Sequence, residues 1–200
     1  EQFSRNDEES GLKLPFLGSL ALVVALFSAV VGPVQADRLT DAPLVTVDWL
    51  ADTLGHDNLV VIDVRDRVDG RDVYAAGHVP GSVSAPYVDS GWRERVDGVP
   101  GMLPAVERIA ARIGALGVDA DSQVVIVSDG ANSTEFGKAT RVYWTFKVLG
   151  HDAVAILDGG FRAWTAAEKP LSTDAEAPVS AVFRAVFRPR YLAVADDVRA

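Results

Sequence analysis

A strand-like run that leads into a polar loop and then a helix is the segment of this sequence most typical of a reactive site. Residues 124–127 ("VVIV") form a short run of β-branched side chains, and the loop "SDGANST" follows. A helix that begins after such a loop presents free N–H groups, which stabilise an anion. The head of the loop is Asp129, and the chain of 200 residues contains no cysteine. The pattern therefore predicts an anion-holding loop that carries a carboxylate where a nucleophile is expected.

Asp129 could itself be a nucleophile, as aspartates are in some phosphoryl-transfer enzymes. That chemistry needs a second carboxylate nearby and a Mg²⁺ site. The loop "SDGANST" supplies no second acid. We therefore expect Asp129 to be a structural anion that accepts hydrogen bonds from the N–H groups of its own loop.

Strand-like and helix-like segments alternate from Leu44 onward, and this alternation predicts how the reactive groups are positioned. The pattern indicates an α/β fold, a three-layer sandwich with a central, mainly parallel sheet. Buried strands are predicted at 59–64, 123–128 and 153–157, helices within 45–55, 71–77, 103–117, 139–150 and 161–170, and a polar loop at 89–101.

The reactive groups of an open parallel sheet lie outside the carboxyl ends of its strands. Three predicted strands end at Asp63-Val64-Arg65, Ser128-Asp129-Gly130 and Asp158-Gly159-Gly160. We expect these three segments to converge on one crevice.

The composition excludes several classes of function. The formal net charge is −9, which argues against nucleic acid as a partner, because phosphate contacts need clustered Lys and Arg. The absence of cysteine excludes disulfides, thiolate metal sites and cysteine catalysis within this chain. The three histidines lie far apart in the sequence, so we expect neither a metal site nor a cofactor.

The N-terminal segment has the pattern of an export signal. Residues 14–32 are apolar and uncharged, and "VQA" at 34–36 resembles a signal-peptidase site. We therefore interpret residues 1–36 as a signal peptide, which makes the following domain exported and favours a periplasmic location. The run is also long enough for a membrane span, so an uncleaved anchor is the first alternative and a buried core helix the second.

A short internal repeat is present near the two ends of the remaining chain. Residues 43–52 ("PLVTVDWLAD") align without gaps to 191–200 ("YLAVADDVRA"). Chance similarity is one explanation. The other is that residues 37–178 form one domain and residues 179–200 a linker and the start of a second copy.

Three motifs in combination resemble the rhodanese domain. They are "VVIDVRDRVDGRDVYAAGHVPGSVSAPY", "VVIVSDG…RVYWTFKVLGH" and "AVAILDGGFRAW". The resemblance covers residues 44–173 and is greatest to the N-terminal domain of tandem thiosulfate and mercaptopyruvate sulfurtransferases.

The resemblance implies a cysteine after the central strand, which takes a sulfane sulfur as a persulfide and passes it to a thiophilic acceptor. In tandem members, only the C-terminal copy carries this cysteine, and the N-terminal copy has Asp within "Y/S-D-G". Asp129 therefore occupies the nucleophile position. The residues equivalent to the active-site loop are Asp129, Gly130, Ala131, Asn132, Ser133 and Thr134.

Each of the other candidate polar and aromatic residues has both a structural and a functional interpretation. Asp63 and Arg65 would form either a fold-holding ion pair or an anion contact, and we favour the first. His78 either pins the turn "GHVPGS" or acts as an acid-base group, and pinning is favoured. Trp164 is expected to pack in the core or at a domain interface. Arg141 is expected near the loop, where an interface with a partner domain is one interpretation.

The sequence therefore predicts a non-catalytic N-terminal rhodanese domain of an exported sulfurtransferase. The expected partner is a second rhodanese domain of the same parent chain, which would bind small sulfur-containing anions. A membrane would be a partner only if the N-terminal segment is uncleaved. The alternatives are a stand-alone binding or scaffold module without cysteine and, last, a hydrolase built on Asp129.

Overall fold

The strands and helices of the computed structural model follow the alternation that the sequence predicts. The structure describes residues 38–174, 177–193 and 195–199. The strands are β1 (Leu44–Val45), β2 (Leu59–Asp63), β3 (Val83–Ser84), β4 (Glu94–Val96), β5 (Val99–Met102), β6 (Gln123–Val127) and β7 (Val154–Leu157). The helices are α1 (Val47–Thr53), α2 (Val73–Ala76), α3 (Val106–Ala115), α4 (Ser133–Val148), α5 (Gly160–Ala166) and α6 (Ala195–Arg199).

Five strands form a parallel sheet in the order β1-β7-β6-β2-β3. The central strand β6 is buried along its whole length, which explains why its residues 124–127 form a continuous apolar run rather than an alternating one. The predicted α/β fold with a central parallel sheet is confirmed.

Two separate apolar clusters cover the two faces of the sheet. Successive residues of a strand point to opposite faces, so Val125 and Ile126 belong to different clusters. Ile126 packs with α3 and α4, whose buried residues include Phe146. Val125 packs with α1 and α5, which contribute Leu50 and Trp164. The helices on both faces leave the two ends of the strands as the places where polar groups converge.

The predicted polar loop at 89–101 is wrong, because β4 and β5 form an antiparallel hairpin there. The turn is Asp97-Gly98, and both residues have positive φ, at 49° and 82°. Such a turn matches the twist of a two-stranded hairpin, and Asp-Gly is a favoured pair for it. This dipeptide between valines was the signal that could have predicted the hairpin.

A strap formed by residues 177–190 runs across the ends of α3 and α4. Its backbone donates hydrogen bonds from Ala181 to the Gly114 carbonyl and from Val186 to the Leu149 carbonyl, both at 2.8 Å. Phe183 is 8% exposed, and its ring meets that of Phe146 edge-on at 6.1 Å. The strap therefore closes the core beside α4 and satisfies carbonyls that helix ends leave free.

The predicted signal peptide or anchor at residues 1–36 lies outside the described residues. Within the part of the chain that the structure describes, no helix is long and apolar enough to cross a bilayer.

Replacing Phe183 by Ala should destabilise the domain strongly, because the ring fills a buried position. We expect the free energy of unfolding to fall by about 3 to 5 kcal/mol. Val182→Ala is the matched control, because Val182 is 71% exposed and its loss should cost less than about 0.5 kcal/mol. Urea unfolding followed by circular dichroism measures both, and equal effects of the two substitutions would contradict the packed strap.

Candidate functional site

An open cleft of about 630 Å³ lies at the carboxyl ends of β2 and β6. We call it the carboxyl-edge cleft. Its walls come from the loop after β2, the loop after β6, the first turns of α4 and the start of α5. The charged and aromatic side chains that line it include Arg65, Asp66, Asp129, Glu135, Lys138, Phe161 and Arg162.

The innermost charges of the cleft are paired with each other. Arg65 is 6% exposed and Asp63 is 1% exposed. The guanidinium of Arg65 donates from Nε to both carboxylate oxygens, at 3.0 and 2.9 Å, and from Nη2 to Oδ2 at 2.7 Å. A bidentate geometry of this kind is what a buried ion pair needs to offset its desolvation.

The same guanidinium connects three parts of the fold. Arg65 Nη2 also donates to the Gly77 carbonyl at 2.8 Å, which holds the end of α2 against the end of β2. Its Cζ lies 3.6 Å from the centre of the Phe161 ring at the start of α5, a cation–π contact. These contacts support the fold-holding interpretation of Asp63 and Arg65 over the anion contact.

The Asp129 carboxylate is held by a residue that the sequence analysis did not single out. Arg162 Nε donates to Asp129 Oδ1 at 2.8 Å and to Oδ2 at 3.4 Å. The expectation that loop N–H groups hold this carboxylate is wrong, since its hydrogen bonds among the described residues come from Arg162. The side chains of Asp129 and Arg162 are 30% and 66% exposed, so water screens the pair and it adds little to stability.

The loop amides are engaged by another residue. Asn132 is the N-cap of α4, and its Oδ1 accepts from the N–H groups of Thr134 at 2.9 Å and Glu135 at 3.1 Å. Ser133 and Thr134, predicted as part of the loop, belong to the first turn of α4. A satisfied N-cap removes two of the N–H donors that a helix start offers to an anion, so this loop has fewer donors free for one.

A close approach of two loops places Arg162 beside Asp129. A Cβ on Gly130 would lie 1.9 Å from the Gly159 carbonyl oxygen, so only glycine fits at position 130. The Arg162 N–H then donates to the Asp129 carbonyl at 3.0 Å. Asp158 is exposed at the end of β7 and does not line the carboxyl-edge cleft. The segment after β7 thus contributes residues of α5, Phe161 and Arg162, to the cleft, and not Asp158.

A further charge network joins the loop after β2 to α4. Lys138 Nζ lies 2.8 Å from Asp66 Oδ2 and 2.8 Å from Glu135 Oε1. Burial favours the neutral amine, but the hydrogen bonds to the two carboxylates outweigh it and raise the pKa of Lys138. The sequence analysis missed Lys138, although its spacing of three residues from Glu135 on a helix could have indicated the second contact.

His78 lies away from the cleft and holds a turn. It is fully buried, its ring stacks on Tyr74 at 3.8 Å, and its Nδ1 lies 2.9 Å from the Tyr74 carbonyl oxygen. Its backbone exchanges two hydrogen bonds with Ser172, each 2.9 Å long. These contacts support the turn-pinning interpretation of His78.

Arg141 and Trp164 also lie outside the cleft lining. Trp164 is fully buried between α5 and the sheet, and its Nε1 donates to the Pro170 carbonyl at 2.8 Å. Arg141 Nη2 donates to Gly101 of the hairpin at 2.8 Å, and its guanidinium lies over Trp144 at 4.6 Å. Burial lowers the pKa of Arg141.

The chemistry available in the cleft is therefore that of paired oxygen and nitrogen charges. The chain has no thiol, and in residues 38–174, 177–193 and 195–199 no group of three or more His, Asp or Glu side chains is arranged to hold a metal ion. The cleft lacks a soft nucleophile, and most of its cations already have a carboxylate partner.

Replacing Arg65 by Leu should be among the most damaging changes at this edge, because it leaves the Asp63 carboxylate buried without a partner. We expect the free energy of unfolding to fall by about 3 to 5 kcal/mol. Arg67→Leu removes an equal charge from a side chain that is 62% exposed and should cost less than about 1 kcal/mol.

Urea unfolding of Arg65→Leu, Arg67→Leu and the double variant Asp63→Leu/Arg65→Leu measures these terms. The double variant should regain part of the lost stability, since it removes the unpaired charge. A single variant Arg65→Leu as stable as Arg67→Leu would show that the pair does not hold the fold.

The chain was compared with known proteins. A family model described as a rhodanese-like domain matches residues 46–167. Thiosulfate/3-mercaptopyruvate sulfurtransferase 2 of Arabidopsis thaliana is 34% identical over 157 residues, which are 74% of this chain and 44% of that protein. Human 3-mercaptopyruvate sulfurtransferase is 32% identical over 166 residues, which are 78% of this chain and 54% of that protein.

The crystal structure of the Escherichia coli 3-mercaptopyruvate sulfotransferase SseA matches with a TM-score of 0.67 at 27% identity. The match covers 79% of this chain and 60% of that one. The chain thus spans about half the length of the curated relatives described above. The parallel sheet, the loop after β6 and these matches together show that the chain belongs to the rhodanese-like family and is related to sulfurtransferases.

Proposed function

We propose that this chain is the non-catalytic N-terminal rhodanese domain of an exported sulfurtransferase. The parent protein would transfer sulfane sulfur from thiosulfate or mercaptopyruvate to a thiophilic acceptor, using a cysteine in a second rhodanese domain. In this proposal Asp129 occupies the position of that cysteine, and the domain shapes and stabilises the catalytic copy. The observation that carries the proposal is the Asp129 carboxylate paired with Arg162 at 2.8 Å at the head of the loop after β6.

The chemistry of sulfur transfer explains why this domain would be catalytically inactive. A thiolate is a soft nucleophile that can attack a sulfane sulfur and carry it as a persulfide. A carboxylate has hard oxygens and forms no comparable sulfur-carrying species. The pairing of Asp129 with Arg162 further neutralises the charge that would attack.

Two observations support a second domain in the parent. The curated relatives that match are about twice as long as the matched region, because the alignment covers 44% to 54% of their length. In the internal repeat, Val47 aligns with Ala195, and these are the first residues of α1 and α6. A second copy that begins like the first accounts for both.

The chain alone should not produce thiocyanate from thiosulfate and cyanide above the uncatalysed rate, because it lacks the thiol. The assay follows thiocyanate colorimetrically, with the Arabidopsis thaliana thiosulfate/3-mercaptopyruvate sulfurtransferase 2 as the positive control. Turnover by the chain would contradict the proposal. A loop of the pattern V-x-x-C-G/R encoded about one domain downstream of Ala200 would support the tandem parent.

A stand-alone binding module is the second candidate, and the cleft argues against one that binds anions. The cations that would attract an anion are already paired, Arg162 with Asp129 and Lys138 with Asp66 and Glu135. Calorimetry with thiosulfate and sulfite discriminates the non-catalytic domain of a sulfurtransferase from the binding module. Specific binding of either anion that is lost in the variant Arg162→Gln would favour the binding module.

Export is the remaining part of the proposal, and it is carried by the sequence of residues 1–36. If these residues act as a cleaved signal, the exported protein begins at Asp37. Intact-mass spectrometry of protein recovered from the periplasm measures this directly. A mature protein that retains residues 14–32 would instead support the membrane anchor.

A further inference from the structure

A second, smaller cavity of about 130 Å³ lies at the opposite edge of the sheet from Asp129. We call it the amino-edge cavity, because it sits beside the first residue of β6 and the residues that precede β2 and β7. Its polar lining includes Arg38, Asn58, Gln123, His151, Asp152 and Arg188. The proposed sulfurtransferase chemistry uses none of these groups.

The floor of the amino-edge cavity is an amide without a partner. Gln123 is 1% exposed, and neither its Nε2 nor its Oε1 has a hydrogen-bond partner among the described residues. A buried polar group left unsatisfied costs about 1 to 3 kcal/mol. The other residues of β6 are apolar, so the strand does not need an amide at this position. Such a group indicates that something polar occupies the space in front of it.

A second buried group faces the same space. His151 is 7% exposed, and its Nε2 has no partner within the described part of the chain. Burial lowers the pKa of His151, so the imidazole is neutral at pH 7. The rings of Phe146 and Phe183 lie 5.6 and 5.7 Å from it. Backbone hydrogen bonds with Ala153 and Ser122 also act on the imidazole, so the proposal below rests on the Gln123 amide and not on His151.

The partly buried charges at the wall are two cations and one carboxylate. Arg188 and Asp152 line the cavity, and Lys147 contacts Asp152 from outside the lining. Asp152 accepts hydrogen bonds from Lys147 and from Arg188, the latter at 2.8 and 2.9 Å. A third cation, Arg38, has its Nη2 4.0 Å from Asp152. Hydrogen bonds from Arg188 and Lys147 hold the pKa of Asp152 well below its usual range. Arg38 is exposed, so two partly buried cations and one exposed cation surround this carboxylate.

The remaining charged groups near the cavity, Arg38 included, are exposed. Asp41, which bonds to Arg38, has a side chain that is 80% exposed, and Asp121 at the rim is exposed as well. Water screens charges in such positions more than charges inside the cavity. The partly buried wall therefore favours an anion.

We propose that the amino-edge cavity binds a small oxyanion that carries its own O–H group, such as hydrogen phosphate. The anion's oxygens would accept from Gln123 Nε2 and from Arg38 Nη2, which lies 4.0 Å from Asp152 and makes no hydrogen bond to it. Arg188 is already held by Asp152 and the Gly150 carbonyl and would contribute its charge. Its O–H group would donate to Gln123 Oε1, which has no hydrogen-bond donor among the described residues. The combination of an orphaned donor and an orphaned acceptor in one amide selects an anion that is both.

The test uses the intact chain and inorganic phosphate as the probe. Isothermal titration near pH 7.5 at constant ionic strength should show saturable binding of phosphate with a Kd on the order of 1 mM. Sulfate has the same shape without the O–H group and should bind about tenfold more weakly, since Gln123 Oε1 then stays unpaired.

Gln123→Leu is the decisive variant. It should lower the affinity for phosphate about tenfold, and it should fold, because replacing an unsatisfied buried amide by an apolar side chain is neutral or stabilising. Arg38→Gln should also weaken binding. Arg184→Gln is the matched control, because it removes the same charge from an exposed position on the strap and should leave the affinity unchanged.

Three results would overturn the proposal. Heats that do not saturate would show that the cavity holds water only. An unchanged affinity in Gln123→Leu would assign the anion to another place on the chain. An equal loss in Arg184→Gln and Arg38→Gln would show that net charge rather than this cavity attracts phosphate. None of these results bears on the sulfurtransferase assay, so the two proposals fail independently.

Discussion

The buried ion pair between Asp63 and Arg65 is the interaction on which the carboxyl edge of this domain depends. The Asp63 carboxylate lies at the end of β2. The Arg65 guanidinium bonds to it, donates to the Gly77 carbonyl at the end of α2, and packs on the Phe161 ring at the start of α5. Removing two charges from water is costly, and the pair is tolerated because several hydrogen bonds satisfy it together. The loops around the cleft are therefore arranged about a charged group that has no freedom to bind a ligand.

This arrangement accounts for the character of the cleft. Outside the buried pair, Arg162 is matched by Asp129, and Lys138 by Asp66 and Glu135. The cleft lies at the carboxyl ends of the strands, where active sites of parallel sheets are found, but its charged side chains are paired with one another. This rhodanese-like domain thus keeps a cleft at the carboxyl edge of its sheet although the chain has no cysteine.

The two edges of the same sheet differ in how their polar groups are satisfied. At the carboxyl edge, the carboxylates of Asp63, Asp66, Asp129 and Glu135 each have a cation within 2.8 Å. At the amino edge, the strap residue Arg188 and its neighbours crowd one carboxylate, Asp152, while the Gln123 amide has no partner among the described residues. The amino edge is therefore the place where this domain has unused capacity for binding.

The sequence by itself determined the class of fold and the absence of thiol chemistry. Runs such as that of β6 predict buried parallel strands whatever their neighbours are, and a chain without cysteine cannot form a persulfide. Turn chemistry was also encoded locally at Asp97-Gly98, although the hairpin there was not predicted. Only the tertiary structure decided which groups meet: Arg162 reaches Asp129 because Gly130 lets two loops touch, and Gln123 faces a cavity built from Arg38 and the strap. Such pairings depend on the distances between segments far apart in the chain, which local spacing does not specify.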